Sequence, residues 1–259
     1  MAQFAPVAPP QILQALRAYG DIVIGRYHLL LSHDVAVKPH LYKGLLPRGS
    51  LVIMDNSVIE LGYPVDHDTM QTALEIVPSQ IVVLPDVIRD RSLTLDLSFQ
   101  AADIYSDFMD FHNSCFMAVP QGNSLDELQE CAFQLRHIEG IGAWGVGRFV
   151  TELLGTRDSL VRWLWESREM HLPSHKFGPF IHLLGFSEDM EDDMKCCRCP
   201  GVLGIDSAVP VRMGQQRQLI SKTQKAHAPR MDWWDTSVPH IYPETLANLS
   251  LVRTWAQFG

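Results

Sequence analysis

The chain has 259 residues, of which 46% are hydrophobic and 20% are charged, and this composition excludes a disordered, collagenous or fibrous protein. Its net charge of −9 at pH 7 excludes a generally basic surface of the kind that binds any nucleic acid. No run of about 18 uncharged apolar residues is present, so we predict no membrane span. Residues 1–10 lack the cationic and apolar regions of a signal peptide.

The five cysteines are an odd number without a secretion signal, which predicts reduced thiols in a cytoplasmic protein. Cys196, Cys197 and Cys199 lie close together. Zinc sites usually contain two C-x₂-C-like pairs, or one such pair with a downstream pair of histidines, and His227 and His240 do not have that spacing. We therefore predict no metal and no cofactor.

The predicted elements begin after residues 1–10, whose prolines at positions 6, 9 and 10 indicate a flexible arm. Seven apolar runs then predict buried strands, at residues 22–31, 51–54, 81–84, 115–119, 141–146, 180–184 and 202–205. Helical character lies between them, most clearly at residues 68–76, 93–108, 124–137 and 159–170. Ser124 and Glu127 have the spacing of a capping box, which marks a helix start. We predict that residues 222–240 form an irregular, partly exposed segment.

The alternation of strands and helices predicts right-handed βα units and a parallel sheet. An open, doubly wound sheet fits the alternation equally well. Polar or glycine clusters follow most of the apolar runs, and this favours a barrel, because in a barrel the carboxyl ends of the strands converge on one site. We therefore predict an α/β fold, a (β/α)8 TIM-like barrel that forms a single domain over residues 1–259 with an irregular C-terminal segment.

Three carboxylates directly follow predicted strands: Asp55, Asp86 and Asp206. An aspartate at such a position can be a helix cap or a turn residue. Three of them at one end of a barrel favour a pocket suited to glycosyl chemistry. One carboxylate would attack or stabilise an anomeric carbon, while another moves a proton at the leaving group.

Two other strand ends carry groups suited to a flat ligand. The amide of Gln121 both donates and accepts hydrogen bonds, which suits the edge of a base, although a turn residue is the alternative. Gly145 and Gly147 would let a ligand approach the backbone closely, although a lone G-x-G is weak evidence.

The charge of the chain is unevenly distributed. Residues 207–231 contain no Asp or Glu, and their cationic residues are Arg212, Arg217, Lys222, Lys225 and Arg230. This strip is either a solvated face or a site for the phosphates of a nucleic acid. Trp233 and Trp234 follow it, either as anchors of the C-terminal segment or as a stacking platform for an unpaired base.

Six short segments, taken in chain order, resemble segments of the tRNA-guanine transglycosylase family. The similar segments lie between residues 50 and 215 and read Leu-Val-Ile-Met-Asp55-Asn-Ser, Leu-Pro-Asp86, Ala-Val-Pro-Gln121-Gly, Ala-Trp-Gly145-Val-Gly, His-Leu-Leu184-Gly and Gly-Ile-Asp206-Ser-Ala-Val-Pro-Val-Arg212. The resemblance implies a glycosyltransferase that exchanges a guanine in a polynucleotide for a 7-deazaguanine. Asp206 would be the nucleophile that forms a covalent intermediate, and Asp55 the general acid/base. The implied substrate-binding residues are Asn56, Asp86, Gln121, Gly145 and Leu184.

The chain departs from the family because no cysteine follows Cys199 to complete the zinc site found in the members that act on tRNA. It therefore resembles the short phage and bacterial branch that inserts 7-deazaguanines into DNA. The implied partners are DNA, a free 7-deazaguanine base and a protein that recognises or opens the DNA, in the cytoplasm, or the host cytoplasm if a phage encodes the chain. Two alternatives stay open: the same exchange on tRNA, and a non-catalytic barrel that binds nucleobases or nucleic acid.

Overall fold

A computed structural model of the protein describes residues 1–167, 170, 180–221, 233 and 240–258. In this part of the chain eight parallel strands form one sheet in the order β1-β8-β7-β6-β5-β4-β3-β2. The strands are β1 (Gln3–Pro6), β2 (Tyr27–Leu31), β3 (Leu51–Asp55), β4 (Ile81–Val83), β5 (Cys115–Ala118), β6 (Ile141–Gly147), β7 (Phe180–Leu184) and β8 (Val202–Ser207). Because β1 also lies against β2, the sheet is a nearly closed barrel, and the predicted (β/α)8 fold is confirmed.

Helices alternate with the strands and cover the outside of the barrel. They are α1 (Pro10–Ala18), α2 (Asp21–Ile24), α3 (Ser32–Val37), α4 (Pro39–Tyr42), α5 (Val58–Leu61), α6 (His67–Ile76), α7 (Arg91–His112), α8 (Leu125–Leu135), α9 (Phe149–Leu154), α10 (Asp158–Glu166), α11 (Met190–Cys196), α12 (Val209–Gln215) and α13 (Pro243–Phe258). Ser124 caps α8, as predicted, because its Oγ accepts a hydrogen bond from the Glu127 N–H at 3.2 Å. Asp66 caps α6 in the same way through Thr69.

The strands are apolar on both faces because both faces are buried. One hydrophobic cluster fills the interior of the barrel and includes Leu29, Ile53, Val83 and Met117. A larger cluster lies between the strands and the surrounding helices. This double burial explains why the sequence of the strands reads as continuous apolar runs with little polar alternation.

The strand register brings the predicted site residues to one end of the barrel. Asp55 is the last residue of β3 and lies opposite Leu31 of β2. Asp206 of β8 lies opposite Ala5 of β1. Since all strands are parallel, their carboxyl ends meet at the same rim, and the side chains that follow them face a common space.

Three segments differ from the sequence prediction. The N-terminal residues form β1 and pair with β8 instead of a loose arm, and Pro6 is tolerated because it ends the strand. Only the second half of the apolar run at residues 22–31 is a strand, since its first residues form α2. The predicted irregular segment at residues 222–240 lies mostly outside the described residues, and α13 follows it and packs on α12 and β1.

Candidate active site

A cavity of about 200 Å³ lies at the C-terminal end of the barrel, where the strand ends converge. Much of its wall is apolar, with Val7, Leu29, Val119 and Phe186 among the lining residues. The charged groups that line it are Asp55, Glu60, Asp86, Arg148, Glu152 and Asp206. Sites for drug-sized ligands usually measure roughly 300–1,000 Å³, so this cavity suits a small molecule.

Asp206 is nearly buried at the end of β8, and one oxygen of its carboxylate is held by two donors. Oδ1 accepts a hydrogen bond from the Gly185 N–H at 2.9 Å and lies 3.0 Å from His182 Nε2. Oδ2 accepts no hydrogen bond from the part of the chain that the structure describes, and it is not sealed from solvent. The carboxylate is thus fixed on one side and available to a ligand on the other.

Asp55 is at the end of β3, which is separated from β8 by β1 and β2. Its Oδ2 accepts a hydrogen bond from the Ser57 N–H at 2.8 Å, and Ser57 has a left-handed backbone conformation with φ of 63°. Burial raises the pKa of Asp55 well above its usual range, and the negative charge of Glu60 raises it further. Asp55 therefore keeps a proton at a higher pH than an exposed aspartate does.

Glu60 is a site residue that the sequence analysis missed. It lies in α5, the short helix that follows β3, and lines the cavity together with Asp55. Burial raises its pKa to about 7, the charge of Asp206 also raises it, and the charge of Arg148 lowers it. Glu60 therefore lies close enough to Asp206 and Arg148 for their charges to influence its pKa. A glutamate five residues after a strand-end aspartate is the sequence signal that could have identified it.

Arg148 is the second residue that the sequence analysis missed as a functional group, although it directly follows the Gly145-Val-Gly147 segment. Among the described residues that line the cavity, it is the only cationic side chain. Its guanidinium makes no hydrogen bond or ion pair with any residue that the structure describes, unlike the arginines of the exposed ion pairs. An anionic group of a ligand can therefore bind there without breaking an existing pair.

Asp86 follows β4 and is clamped between two amides. Asn56 Nδ2 donates to Oδ1 at 2.6 Å, and Gln121 Nε2 donates to Oδ2 at 2.5 Å. Burial nevertheless raises the pKa of Asp86 to about 6, because it outweighs the two hydrogen bonds that favour the charged form. Gln121 Oε1 accepts a further hydrogen bond from the Arg89 N–H at 2.9 Å.

The side-chain amides of Asn56 and Gln121, both predicted to bind substrate, hydrogen-bond the protein in the structure. Asn56 is not among the residues that line the cavity, and it contacts Asp86 and the Leu84 carbonyl. Gln121 does line the cavity, but both ends of its amide are engaged by the protein. In the structure both amides donate hydrogen bonds to the Asp86 carboxylate.

Of the other predicted contacts, Leu184 lines the cavity and Gly145 does not. A Cβ atom at Gly145 would lie 2.9 Å from Leu184 Cδ1 and 2.9 Å from Val119 Cγ2. The space beside Gly145 is thus filled by the side chains that form the cavity wall, whereas Gly147 is exposed to the cavity itself.

The predicted cationic strip is described only in part. Arg212 lies in α12 and is partly buried, and the guanidinium of Arg217 packs 4.6 Å from the centre of the Tyr242 ring. Lys222, Lys225 and Arg230 lie outside the described residues. That this cationic strip contacts phosphates remains a prediction.

The cysteine triplet lies at the end of α11. Burial raises the pKa of Cys197 to about 12 and also raises that of Cys196, which disfavours the thiolates that metals bind. Within the described ranges, no group of three or more His, Cys, Asp or Glu side chains is arranged to hold a metal ion. Among the helices that the structure describes, none is long and apolar enough to cross a membrane.

No protein-family model and no curated protein matches the chain. An HpcH/HpaI aldolase/citrate lyase family protein from Burkholderia cenocepacia has a similar structure, with a TM-score of 0.50, 12% identity and coverage of 83% of this chain and 91% of that chain. The YdjI aldolase from Escherichia coli has a TM-score of 0.53 and 12% identity, covering 97% and 88%. The Escherichia coli 3-keto-D-glucoside 4-epimerase YcjR has a TM-score of 0.49 and 12% identity, covering 97% and 100%.

These findings contradict the resemblance to the transglycosylase family. The similar barrels with TM-scores of 0.50 and 0.53 are an aldolase/citrate lyase family protein and an aldolase, so the predicted glycosyltransferase that exchanges guanine in DNA is wrong. The alternatives, exchange on tRNA and a non-catalytic nucleobase-binding barrel, are not supported either. The physical reason is that barrels with unrelated functions place carboxylates, amides and glycines at their strand ends, so short motifs of these residues follow from the fold.

Proposed function

We propose that this chain is a lyase-type enzyme that makes or breaks a bond next to a carbonyl group of a small organic acid by general acid–base catalysis. The observation that carries the proposal is the combination of groups in one small cavity: a carboxylate held by two donors, carboxyl groups whose pKa values are raised by burial, and one guanidinium. A carboxylate beside a protonated carboxyl supplies both a base and an acid.

Asp206 would act as the base. With Oδ1 held by Gly185 and His182, its free Oδ2 accepts a proton from the carbon next to the substrate carbonyl. The C–H bond breaks, and its electron pair moves to form the enolate. This proton removal is the half-reaction shared by aldol formation and epimerisation, and its reversal completes aldol cleavage.

Asp55 and Glu60 would act as the acid. The substrate carbonyl oxygen gains negative charge as the enolate forms, and a protonated carboxyl group donates a hydrogen bond or the proton itself to that oxygen. Burial raises the pKa of Asp55 and raises that of Glu60 to about 7, so part of the Glu60 side chains supply such a donor near neutral pH. The same group takes the proton back when the enolate collapses, so the protein returns to its starting state.

Arg148 would bind the substrate carboxylate. A guanidinium matches a carboxylate with two parallel hydrogen bonds, which fixes orientation as well as position. The raised pKa values of Asp55, Glu60 and Asp86 lower the negative charge of the cavity at a given pH. The cavity therefore repels an anionic ligand less strongly. The similar barrels with TM-scores of 0.50 and 0.53 are named as an aldolase/citrate lyase family protein and an aldolase, and the proposal gives this chain chemistry of the same class.

The test follows exchange of carbon-bound protons in deuterium oxide. Purified protein would be incubated with pyruvate, 2-oxobutyrate, malate and citrate, and loss of the C–H signals would be measured by NMR. We expect exchange or cleavage of at least one acid, with a rate that falls roughly 10²- to 10⁴-fold in Asp206→Asn. Glu130→Gln, on the exposed face of α8, is the control and should retain the wild-type rate. No exchange with any of the acids, or equal rates in wild type and Asp206→Asn, would contradict the proposal.

A further inference from the structure

A chain of buried hydrogen bonds crosses the interior of the barrel and ends at Asp206. The Tyr27 hydroxyl of β2 lies 2.6 Å from His182 Nδ1 of β7, and His182 Nε2 lies 3.0 Å from Asp206 Oδ1 of β8. The exposed fractions of Tyr27 and His182 are only 2% and 0%. We propose that Tyr27 and His182 are positioning residues that hold the Asp206 carboxylate in the orientation needed for proton transfer, an inference that rests on the proposed function.

The donors and acceptors of the Tyr27–His182–Asp206 hydrogen bonds specify one tautomer of His182. An aspartate carboxylate only accepts hydrogen bonds, so His182 Nε2 must carry the hydrogen that it donates to Asp206. In neutral imidazole the other nitrogen, Nδ1, is then an acceptor, and the phenol O–H of Tyr27 donates to it. Burial raises the pKa of Tyr27, as does the charge of Asp206, so the phenol keeps this hydrogen.

The other neutral tautomer does not satisfy these groups. With the hydrogen on Nδ1, the lone pair of Nε2 would face the lone pairs of the carboxylate, and the Tyr27 hydroxyl hydrogen would have no acceptor in the described part of the chain. A buried donor without an acceptor costs roughly 1–3 kcal/mol. The tautomer with hydrogen on Nε2 is therefore the one that the geometry supports.

The ring of Tyr27 packs directly on Gly204 of β8. A Cβ atom at Gly204 of β8 would lie 2.5 Å from Tyr27 Cε1 and 2.6 Å from the Gln3 carbonyl oxygen, so any larger residue would displace the ring. The ring centres of Tyr27 and His182 are 5.6 Å apart. Glycine at position 204 thus makes space for the aromatic ring two residues before Asp206.

Asp206 is the member of this series of hydrogen bonds that faces the cavity. The His182 and Gly185 donors both bond Oδ1, which fixes the plane of the carboxylate. Oδ2 is the oxygen left for the substrate. A base that is oriented before substrate binds loses less entropy in the reaction, and a misplacement of about 1 Å can reduce the rate by a factor of roughly 100.

The first test is ¹⁵N NMR of histidine-labelled protein, which needs no substrate. The His182 signals would be assigned by their loss in His182→Gln. We expect a protonated Nε2 and an unprotonated Nδ1 in the wild type, and partial population of the other tautomer in Tyr27→Phe, which removes only the hydroxyl. A protonated Nδ1 in the wild type, or a His182 spectrum that Tyr27→Phe leaves unchanged, would overturn the proposal.

The second test measures kcat and KM in the exchange assay. Tyr27→Phe should lower kcat by a factor of roughly 10 to 100 and leave KM within about twofold, because the substrate contacts are intact. His182→Gln should retain more activity than His182→Leu, since the glutamine amide can still donate to Asp206 Oδ1. A kcat within twofold of wild type in Tyr27→Phe would also overturn the proposal.

Tyr105→Phe is the matched control. The Tyr105 hydroxyl also bonds a histidine, His67 Nδ1, at 2.9 Å, but this pair joins α7 to α6 outside the barrel. It should change neither the His182 spectrum nor kcat. The expected tautomer together with an exchange rate that survives Asp206→Asn would reject the proposed function, whereas loss of the tautomer alone would reject the positioning role.

Discussion

Arg157 and Asp193 form a completely buried ion pair at the rim of the barrel that holds the active-site cavity. Arg157 also donates to the carbonyl oxygens of Val146 at 3.0 Å and Gly185 at 2.7 Å, which ties the ends of β6 and β7 together. The Gly185 N–H in turn donates to Asp206. The ion pair therefore supports the loop that orients the proposed base.

Breaking this pair should destabilise the protein strongly. Arg157→Met leaves the Asp193 carboxylate buried without its partner, and such losses cost about 3–5 kcal/mol. The free energy of unfolding would be measured by urea denaturation. Arg91→Met, which removes one partner of the exposed Arg91–Glu130 pair, is the comparison and should cost less than about 1 kcal/mol. Equal losses in the two variants would contradict the structural role of Arg157.

The raised pKa of Glu60 predicts how stability depends on pH. In the unfolded chain Glu60 ionises near its ordinary value of 4.5, whereas in the folded protein burial raises its pKa to about 7. Between these values the folded state binds more protons, so the contribution of Glu60 to stability falls as the pH rises from about 4.5 to about 7. Above about pH 7 the full destabilising effect of the ionised Glu60 is present.

Glu60→Gln should remove this contribution to the pH dependence. The amide does not ionise, so the variant should gain stability relative to wild type as the pH increases from 5 to 8, and thermal unfolding across that range would measure the gain. Glu130→Gln, exposed on α8, serves as the control. A constant difference between Glu60→Gln and wild type at all pH values would contradict burial as the cause of the raised pKa.

Arg148 should determine the binding of small anions. If it pairs with the substrate carboxylate, pyruvate or oxalate at 100 times its dissociation constant would stabilise the wild type by about 2.7 kcal/mol. Arg148→Met should lose this stabilisation, and Arg148→Lys should retain part of it as a point charge. Thermal shift at constant ionic strength measures the effect, with the uncharged amide pyruvamide as the ligand control. Undiminished stabilisation of Arg148→Met by pyruvate would exclude Arg148 as the anchor.

Gly145→Ala should deform the cavity wall without adding a ligand contact. The new methyl group would lie 2.9 Å from both Leu184 Cδ1 and Val119 Cγ2, closer than carbon atoms normally pack. Overpacking of this kind costs about 1–3 kcal/mol, which urea denaturation would detect. Adding Leu184→Val removes Cδ1 and should recover part of the loss. A Gly145→Ala protein as stable as wild type would show that the wall yields more easily than its packing indicates.

Much of the fold and three of the cavity carboxylates could be predicted from the sequence. Strands that are buried on both faces must be apolar throughout, so their positions are visible as continuous runs, and the parallel topology brings the residues after them to one rim. This reasoning correctly places Asp55, Asp86 and Asp206 around one cavity. The resemblance to the transglycosylase family, drawn from the same strand-end motifs, was wrong, because such motifs are common to barrels with different functions.

The tertiary structure alone decided which groups act together. Tyr27 and His182 are 155 positions apart, and they meet because their strands face each other across the barrel. Asn56 and Gln121 resemble ligand-binding amides in sequence, but the fold directs both to Asp86. Residue type and local periodicity depend on near neighbours along the chain, whereas hydrogen-bond partners and burial depend on residues that only the closed barrel brings into contact.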